Sequence, residues 1–239
     1  MMADVFGACN RTALPISWGA MSGDDDQPDR WRQARRDMIA QQIEARGIGE
    51  PRVLAAIEAV PREQFVPPPM RELAYEDRAL AIEENQTISQ PYIVAYMTNA
   101  LRIEPHHKVL EVGTGSGYQA AIISQLTDRL YTIERIASLA RCAQERLNRL
   151  GVRGVHHRVG DGSMGWPEEA PFDRIIVTAA APSIPQPLVD QLTQNGRMII
   201  PVGRAEQQTL TALDKRQGRI IERPLIPCRF VKFVGQAAW

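Results

Sequence analysis

Three glycines alternate in Val109-Leu110-Glu111-Val112-Gly113-Thr114-Gly115-Ser116-Gly117-Tyr118, directly behind a short apolar run. Glycine reaches positive φ angles and carries no Cβ, so such a turn brings bare main chain up to a ligand. In doubly wound sheets, ligands bind beyond the carboxyl ends of the strands, where this first strand stops. The plain alternative is a tight strand-to-helix turn without a ligand. A dinucleotide fingerprint, G-x-G-x-x-G, needs glycine at position 118, where Tyr118 stands. A phosphate cradle needs G-K-[ST], and this turn has no Lys or Arg. Glu111 inside the strand is a poor neighbour for a pyrophosphate as well. A cationic or zwitterionic nucleoside without phosphate suits these charges, and S-adenosylmethionine, with its sulfonium, is the natural candidate.

Two further acids extend the pattern. Glu134 lies 17 positions after Gly117, at the end of the next apolar run. A carboxylate there can accept two hydrogen bonds from ribose hydroxyls. Asp161, in Gly160-Asp161-Gly162 after a third run, can accept from an adenine amino group. Each acid alone is more often a solvated strand-end residue. Three signals at successive strand ends on one sheet edge favour a cofactor site.

The elements that must hold these residues are regular from Lys108 onward. Strands are expected at 108–112, 130–133, 155–159, 172–178 and 197–202, with helices following the glycine turn to about Leu126, at 136–150 and at 184–192. The run Ile175-Ile176-Val177 suits a strand covered on both faces. Two or three strands around Arg216-Gln217-Gly218 fill 209–234. Strands alternating with helices over short connections mean an α/β, doubly wound, mostly parallel sheet with a partly antiparallel C-terminal end. Upstream, helices are expected at 30–46, stopped by Gly47, at 51–60, and from Pro91 to about Leu101, with a loop feeding them over 79–89. Residues 1–29 show no sustained period and read as a flexible extension, leaving 30–239 as one domain: N-terminal helices and a substrate loop (30–107), a cofactor core (108–203) and C-terminal strands (204–239).

Composition closes off other chemistries. The chain has 239 residues, with 28 basic and 28 acidic side chains, so its zero net charge argues against blanketing nucleic acid or an anionic membrane. No apolar run approaches the roughly 18–20 residues that span a bilayer, and the N-terminus does not read as a secretory signal. Cys9, Cys142 and Cys228 form no CxxC or CxxH pair, and the adjacent pairs His106-His107 and His156-His157 point apart on a strand, so neither a disulfide framework nor a metal site is expected. A reducing, cytoplasmic setting and a monomer are the expectation.

Outside the glycine turn, Gln86-Thr87-Ile88-Ser89-Gln90-Pro91 carries a more specific resemblance. With Val60-Pro61-Arg62-Glu63-Gln64-Phe65-Val66-Pro67, Ala74-Tyr75-Glu76-Asp77, Ala170-Pro171-Phe172-Asp173 and Arg229-Phe230-Val231, it makes the chain from about Arg35 to Val234 similar to the protein-L-isoaspartate O-methyltransferases. One departure is Glu84-Asn85, where that family usually has glycine, which puts that loop's backbone angles in question. The resemblance implies methyl transfer from S-adenosylmethionine to the α-carboxylate of L-isoaspartyl residues in damaged proteins. The ester then closes to a succinimide, whose hydrolysis returns some normal aspartate. It implies cofactor contacts from Gln86, Thr87, Ile88, Ser89, Glu111, Gly113, Thr114, Gly115, Gly117, Glu134, Asp161, Gly162, Thr178 and Gln208, and substrate contacts from Ser89, Ala179 and Val231, with no metal.

Ser89 is the implied catalytic serine, orienting a carboxylate or touching the cofactor; on spacing alone it is equally an N-cap for the helix opening near Pro91. Thr178-Ala179-Ala180 differs from the Asn/Asp-Pro-Pro-Tyr loop of amino-methylating enzymes, and suits an anionic substrate. Arg229 is either a carboxylate partner or a surface strand residue. The competing functions are a methyltransferase acting on RNA or a small metabolite, a dehydrogenase, which Tyr118 opposes, and a non-catalytic module that senses damaged proteins.

Overall fold

The computed structural model describes residues 27–239. The expected extension lies outside the described residues, except that the first helix, α1 (Gln27–Met38), already starts within it. α1 continues through a π turn (Ile39–Ile43) and a 3-10 turn (Glu44–Arg46), and stops at Gly47, whose φ of 84° is left-handed. α2 (Pro51–Ala59) opens on Pro51 and buries Val53, Ala56 and Ile57. Two 3-10 segments, Arg62–Phe65 and Pro68–Leu73, replace regular structure in the proline-rich stretch.

The expected loop at 79–89 is a small antiparallel pair, β1 (Leu80–Ala81) with β2 (Thr87–Ile88). Glu84 and Asn85, between them, take left-handed φ angles of 58° and 56°. These are the angles glycine adopts freely, so the chain holds the loop there with non-glycine residues. Ser138 donates to the Glu84 carboxylate at 2.6 Å, anchoring the turn on the following domain core. α3 (Pro91–Leu101) comes next, within the bounds its sequence suggests.

The main sheet contains β3 (Val109–Val112), β4 (Leu130–Glu134), β5 (Val155–Val159), β6 (Phe172–Val177), β7 (Leu192–Arg204), β8 (Gln207–Arg216) and β9 (Arg219–Cys228). Their spatial order is β5-β4-β3-β6-β7-β8-β9. The first five are parallel, and β8 and β9 add as antiparallel hairpins. The chain therefore builds outward from β3 in one direction, then returns to β6 on its other side. The switch point lies between β3 and β6, above the glycine turn.

α4 (Tyr118–Ile123) follows the turn and α5 (Ala137–Arg149) follows β4. The helix expected at 184–192 shortens to α6 (Gln186–Asp190), because Leu192 already pairs with Phe172 as the start of β7. Alternation along the strands covers both sheet faces. Val109, Ile176 and Ile199 meet a core built from α1 to α5, whereas Leu110, Val112, Ile175 and Met198 meet Leu188, Val189 and Phe233. Across β7 and β8, Arg197 grips both oxygens of Asp214 at 2.7 and 3.0 Å, and also donates to the Ala100 carbonyl at 2.9 Å. Both side chains are nearly buried. Asp214→Ala leaves that guanidinium without its acid and is expected to cost about 3–5 kcal/mol in urea unfolding.

Candidate functional site

A crevice of about 360 Å³ opens at the carboxyl ends of β3 and β6. Its base is the glycine turn at Gly113 and Gly115; its sides are Glu134 to Ile136, Thr178-Ala179, Val231 to Val234 and Asn85 to Thr87, with Gly162 alongside. A recess of about 50 Å³ adjoins it, sharing Thr87, Gly113, Gly115 and Thr178, and adds Ile88, Ser89, Thr114 and Gln119.

The turn's glycines do different work. Gly113, Gly115 and Gly117 have φ angles of 96°, 54° and 88°. A Cβ on Gly113 would lie 2.3 Å from the Thr178 hydroxyl oxygen, so this glycine lets β3 and β6 close on each other. A Cβ on Gly115 would meet nothing within 4 Å, so this glycine leaves room. Gly117 caps α4 and packs toward Ala143 and Leu147 of α5, outside the crevice lining.

Glu134 sets the height of the turn. Its two oxygens accept the backbone N–H groups of Gly115 and Ile136, each at 3.0 Å. A carboxylate offers about four lone pairs, so Glu134, which lines the crevice, keeps two acceptor sites free of these bonds. Glu111 differs completely. It is fully buried, faces Thr132 at 2.5 Å, and its other oxygen, Oε1, has no partner. Burial, assisted by the nearby Glu134 charge, pushes its carboxyl up to about 8, against the opposing hydrogen bond from Thr132. Thr132 in turn meets the Thr114 hydroxyl at 2.6 Å, linking this buried acid to the turn.

Several expected contacts take other positions. Asp161 does not line the crevice: Ser163 donates to one oxygen through its N–H (2.9 Å) and hydroxyl (2.7 Å), and the Gln236 N–H donates to the other at 2.7 Å. Partial burial would raise this carboxyl, but those bonds outweigh it and hold it below the usual range. Gln208 is buried and its amide is committed, donating to Arg204 and Ala205 carbonyls and accepting from the Phe230 N–H at 2.8 Å. It therefore braces the segment leading to Val231. Ser89 is not the cap of α3: Gln90 takes that place, without a side-chain bond to the helix. Arg229 is exposed and outside the lining.

Asn85, Arg135, Ile136, Leu139, Lys232 and Phe233 line the crevice without having been anticipated. Arg135 and Ile136 directly follow Glu134, so its position as a strand end was the available signal. Lys232 and Phe233 arrive through a parallel bridge from Lys232 to Ala180, and no local pattern announces it.

The family model for protein-L-isoaspartate(D-aspartate) O-methyltransferase matches residues 33–238. The chain belongs to this family. Among similar methyltransferases, the protein-L-isoaspartate O-methyltransferase of Methanoculleus marisnigri is 52% identical over 213 residues, covering 89% of this chain and 97% of that protein. The one from Gloeobacter violaceus is 54% identical over 195 residues, covering 81% and 95%. A crystal structure from Plasmodium falciparum, assigned to the same methyltransferase and in complex with S-adenosyl-L-homocysteine, superimposes with a TM-score of 0.72 at 25% identity, over 85% of this chain and 98% of that one. The methyltransferase fold thus extends to the N-terminal helices as well as the sheet.

Proposed function

We propose that this chain is an S-adenosylmethionine-dependent protein-L-isoaspartate O-methyltransferase that esterifies the α-carboxylate of L-isoaspartyl residues in damaged proteins. Family membership gives the activity, and the open space above Gly115 beside Glu134 is the observation that carries it to these residues. The residues present fit the cofactor: a turn without side chains, an acid with acceptor sites to spare, and an apolar flank from Ile133, Ile136 and Leu139. When bound, S-adenosylmethionine supplies a methyl group on a sulfonium.

Glu134 receives ribose hydroxyls, and Gly113, Gly115 and Thr178 border the recess that holds Ser89. The substrate carboxylate, with a reference pKa of about 4, is ionised at neutral pH and needs no base. What the protein supplies is alignment and exclusion of water. Ser89, which lines this recess, donates a hydrogen bond that orients the carboxylate. Asp161 acts at one remove from the adenine end, through Gly162, and Gln208 through Val231. Ala179 and Val231 frame the substrate side. The same reading takes the enzyme to be a cytoplasmic monomer in which Cys142 and Cys228 stay free thiols.

Labelled S-adenosylmethionine offered with isoaspartyl and matched aspartyl peptides tests the assignment. Label in the isoaspartyl peptide alone is expected; equal label in both, or in RNA instead, would overturn it. Ser89→Ala is expected to lower kcat roughly ten- to hundredfold, the value of one hydrogen bond to a charged group, with the affinity for S-adenosylhomocysteine within about threefold. Unchanged kcat with a lower melting temperature would assign Ser89 a purely structural role.

A further inference from the structure

Arg62 is fully buried at the start of the 3-10 turn Arg62–Phe65, and it pairs with no carboxylate among the described residues. The adjacent acid, Glu63, is taken by the Tyr75 hydroxyl at 2.5 Å and by Arg35 at 3.7 Å. Arg62 instead reaches three separate segments. Its Nε donates to the Ala74 carbonyl at 2.6 Å and its Nη2 to the Ser89 carbonyl at 2.8 Å. Its guanidinium carbon sits 4.8 Å from the centre of the Tyr118 ring. Its Nη1 has no partner.

A buried guanidinium without an acid is expensive, and an apolar side chain of similar volume would serve a core better. Two features of arginine match this position. Its planar fork holds two acceptors at fixed angles, and its face stacks on an aromatic ring. The ring is that of Tyr118, the first residue after the glycine turn. The carbonyl belongs to Ser89, just before the Gln90-Pro91 start of α3. Fixing the Ser89–Gln90 peptide plane fixes the direction in which the Ser89 side chain leaves the backbone.

We propose that Arg62 is a positioning residue for methyl transfer, locking the Ser89 backbone against the helix that begins at Tyr118 and thereby holding the Ser89 hydroxyl on the recess. The inference rests on the reading of Ser89 given above. It predicts that Arg62 matters to turnover only through Ser89, which a double-mutant cycle isolates.

Four full-length proteins are compared: native, Arg62→Gln, Ser89→Ala and the double variant, each assayed below its melting temperature with an isoaspartyl peptide. Arg62→Gln is expected to lower kcat at least tenfold in the native background and less than threefold in the Ser89→Ala background. Affinity for S-adenosylhomocysteine is expected to stay within threefold. Arg62→Lys, which keeps the charge but reaches fewer acceptors, is expected to recover part of kcat, and it replaces Arg62→Gln in the cycle should that variant not fold. Equal fold-losses in both backgrounds, or a lowered melting temperature with native kcat, overturn the proposal. If Ser89→Ala alone keeps native kcat, the reading of Ser89 fails first and the role of Arg62 falls with it.

Discussion

Gly115→Val is expected to bind S-adenosylhomocysteine at least a hundredfold more weakly than the native chain while remaining folded. The contrast with Gly113 decides this. At Gly113 a new Cβ collides with Thr178 at 2.3 Å, so any loss of binding there is mixed with loss of structure. At Gly115 the added atoms enter open space, and that space belongs to the crevice. The cost to the fold is confined to backbone: a β-branched residue at a φ of 54° gives up about 1–2 kcal/mol, or roughly 2–8 °C in melting temperature for a domain of this size. The cost to the ligand is steric and cannot be relieved by rotation, because a valine has two γ-carbons on one stiff torsion. Titration calorimetry reads the affinity and a thermal melt the fold. Affinity within threefold of native would remove the turn from the cofactor site.

Glu111→Gln is expected to flatten the dependence of stability on pH between about 5 and 8. In the folded chain the Glu111 carboxyl keeps its proton to about pH 8, against an ordinary value of 4.5. Across that window the folded state binds a proton that the unfolded state has released, so each increase in pH favours unfolding. The group's contribution is fully present below about pH 4.5, falls as pH rises, and levels off above about 8. A shift of this size is worth on the order of 5 kcal/mol. The glutamine variant lacks the titration and is spared the loss. Urea unfolding of both proteins at pH 5 and pH 8 tests it: the native chain is expected to lose several kcal/mol more than the variant between the two. Parallel losses would show that Glu111 is ionised in the folded state.

What could be read from the sequence was what local chemistry determines. The period of the strands, proline at the first turn of α2 and α3, and glycine at Gly47 each act within a few residues; β3 to β6, α2, α3 and the stop at Gly47 stand where expected, whereas the strand expected at 197–202 begins five residues early, at Leu192. The helix expected at 184–192 shows the limit. Leu188 and Leu192 share a helical spacing, yet Leu192 is captured by Phe172 on β6, a partner 20 positions away. The same limit governs the site. Glu134 keeps the place its strand end assigns: Ile136 is two positions on, and Gly115, although 19 positions back, follows the end of the adjacent paired strand β3. Asp161 and Gln208 have suitable side chains, but Gln236 and Phe230 reach them from the far end of the chain. The alternative reading of Ser89 as a helix cap fails by one position, since the residue directly before Pro91 is Gln90.

Asn85 to Thr87 and Val231 to Val234 border one crevice although about 140 positions of sequence separate them. During translation the glycine turn and Glu134 emerge from the ribosome long before the segment that completes their surroundings. If the proposed site holds the nucleoside, stabilisation by it, which grows with the logarithm of its concentration over its dissociation constant, is expected only once Val231 to Val234 have been synthesised. A prematurely terminated product lacking Val231 onward is expected to forgo that protection against proteolysis.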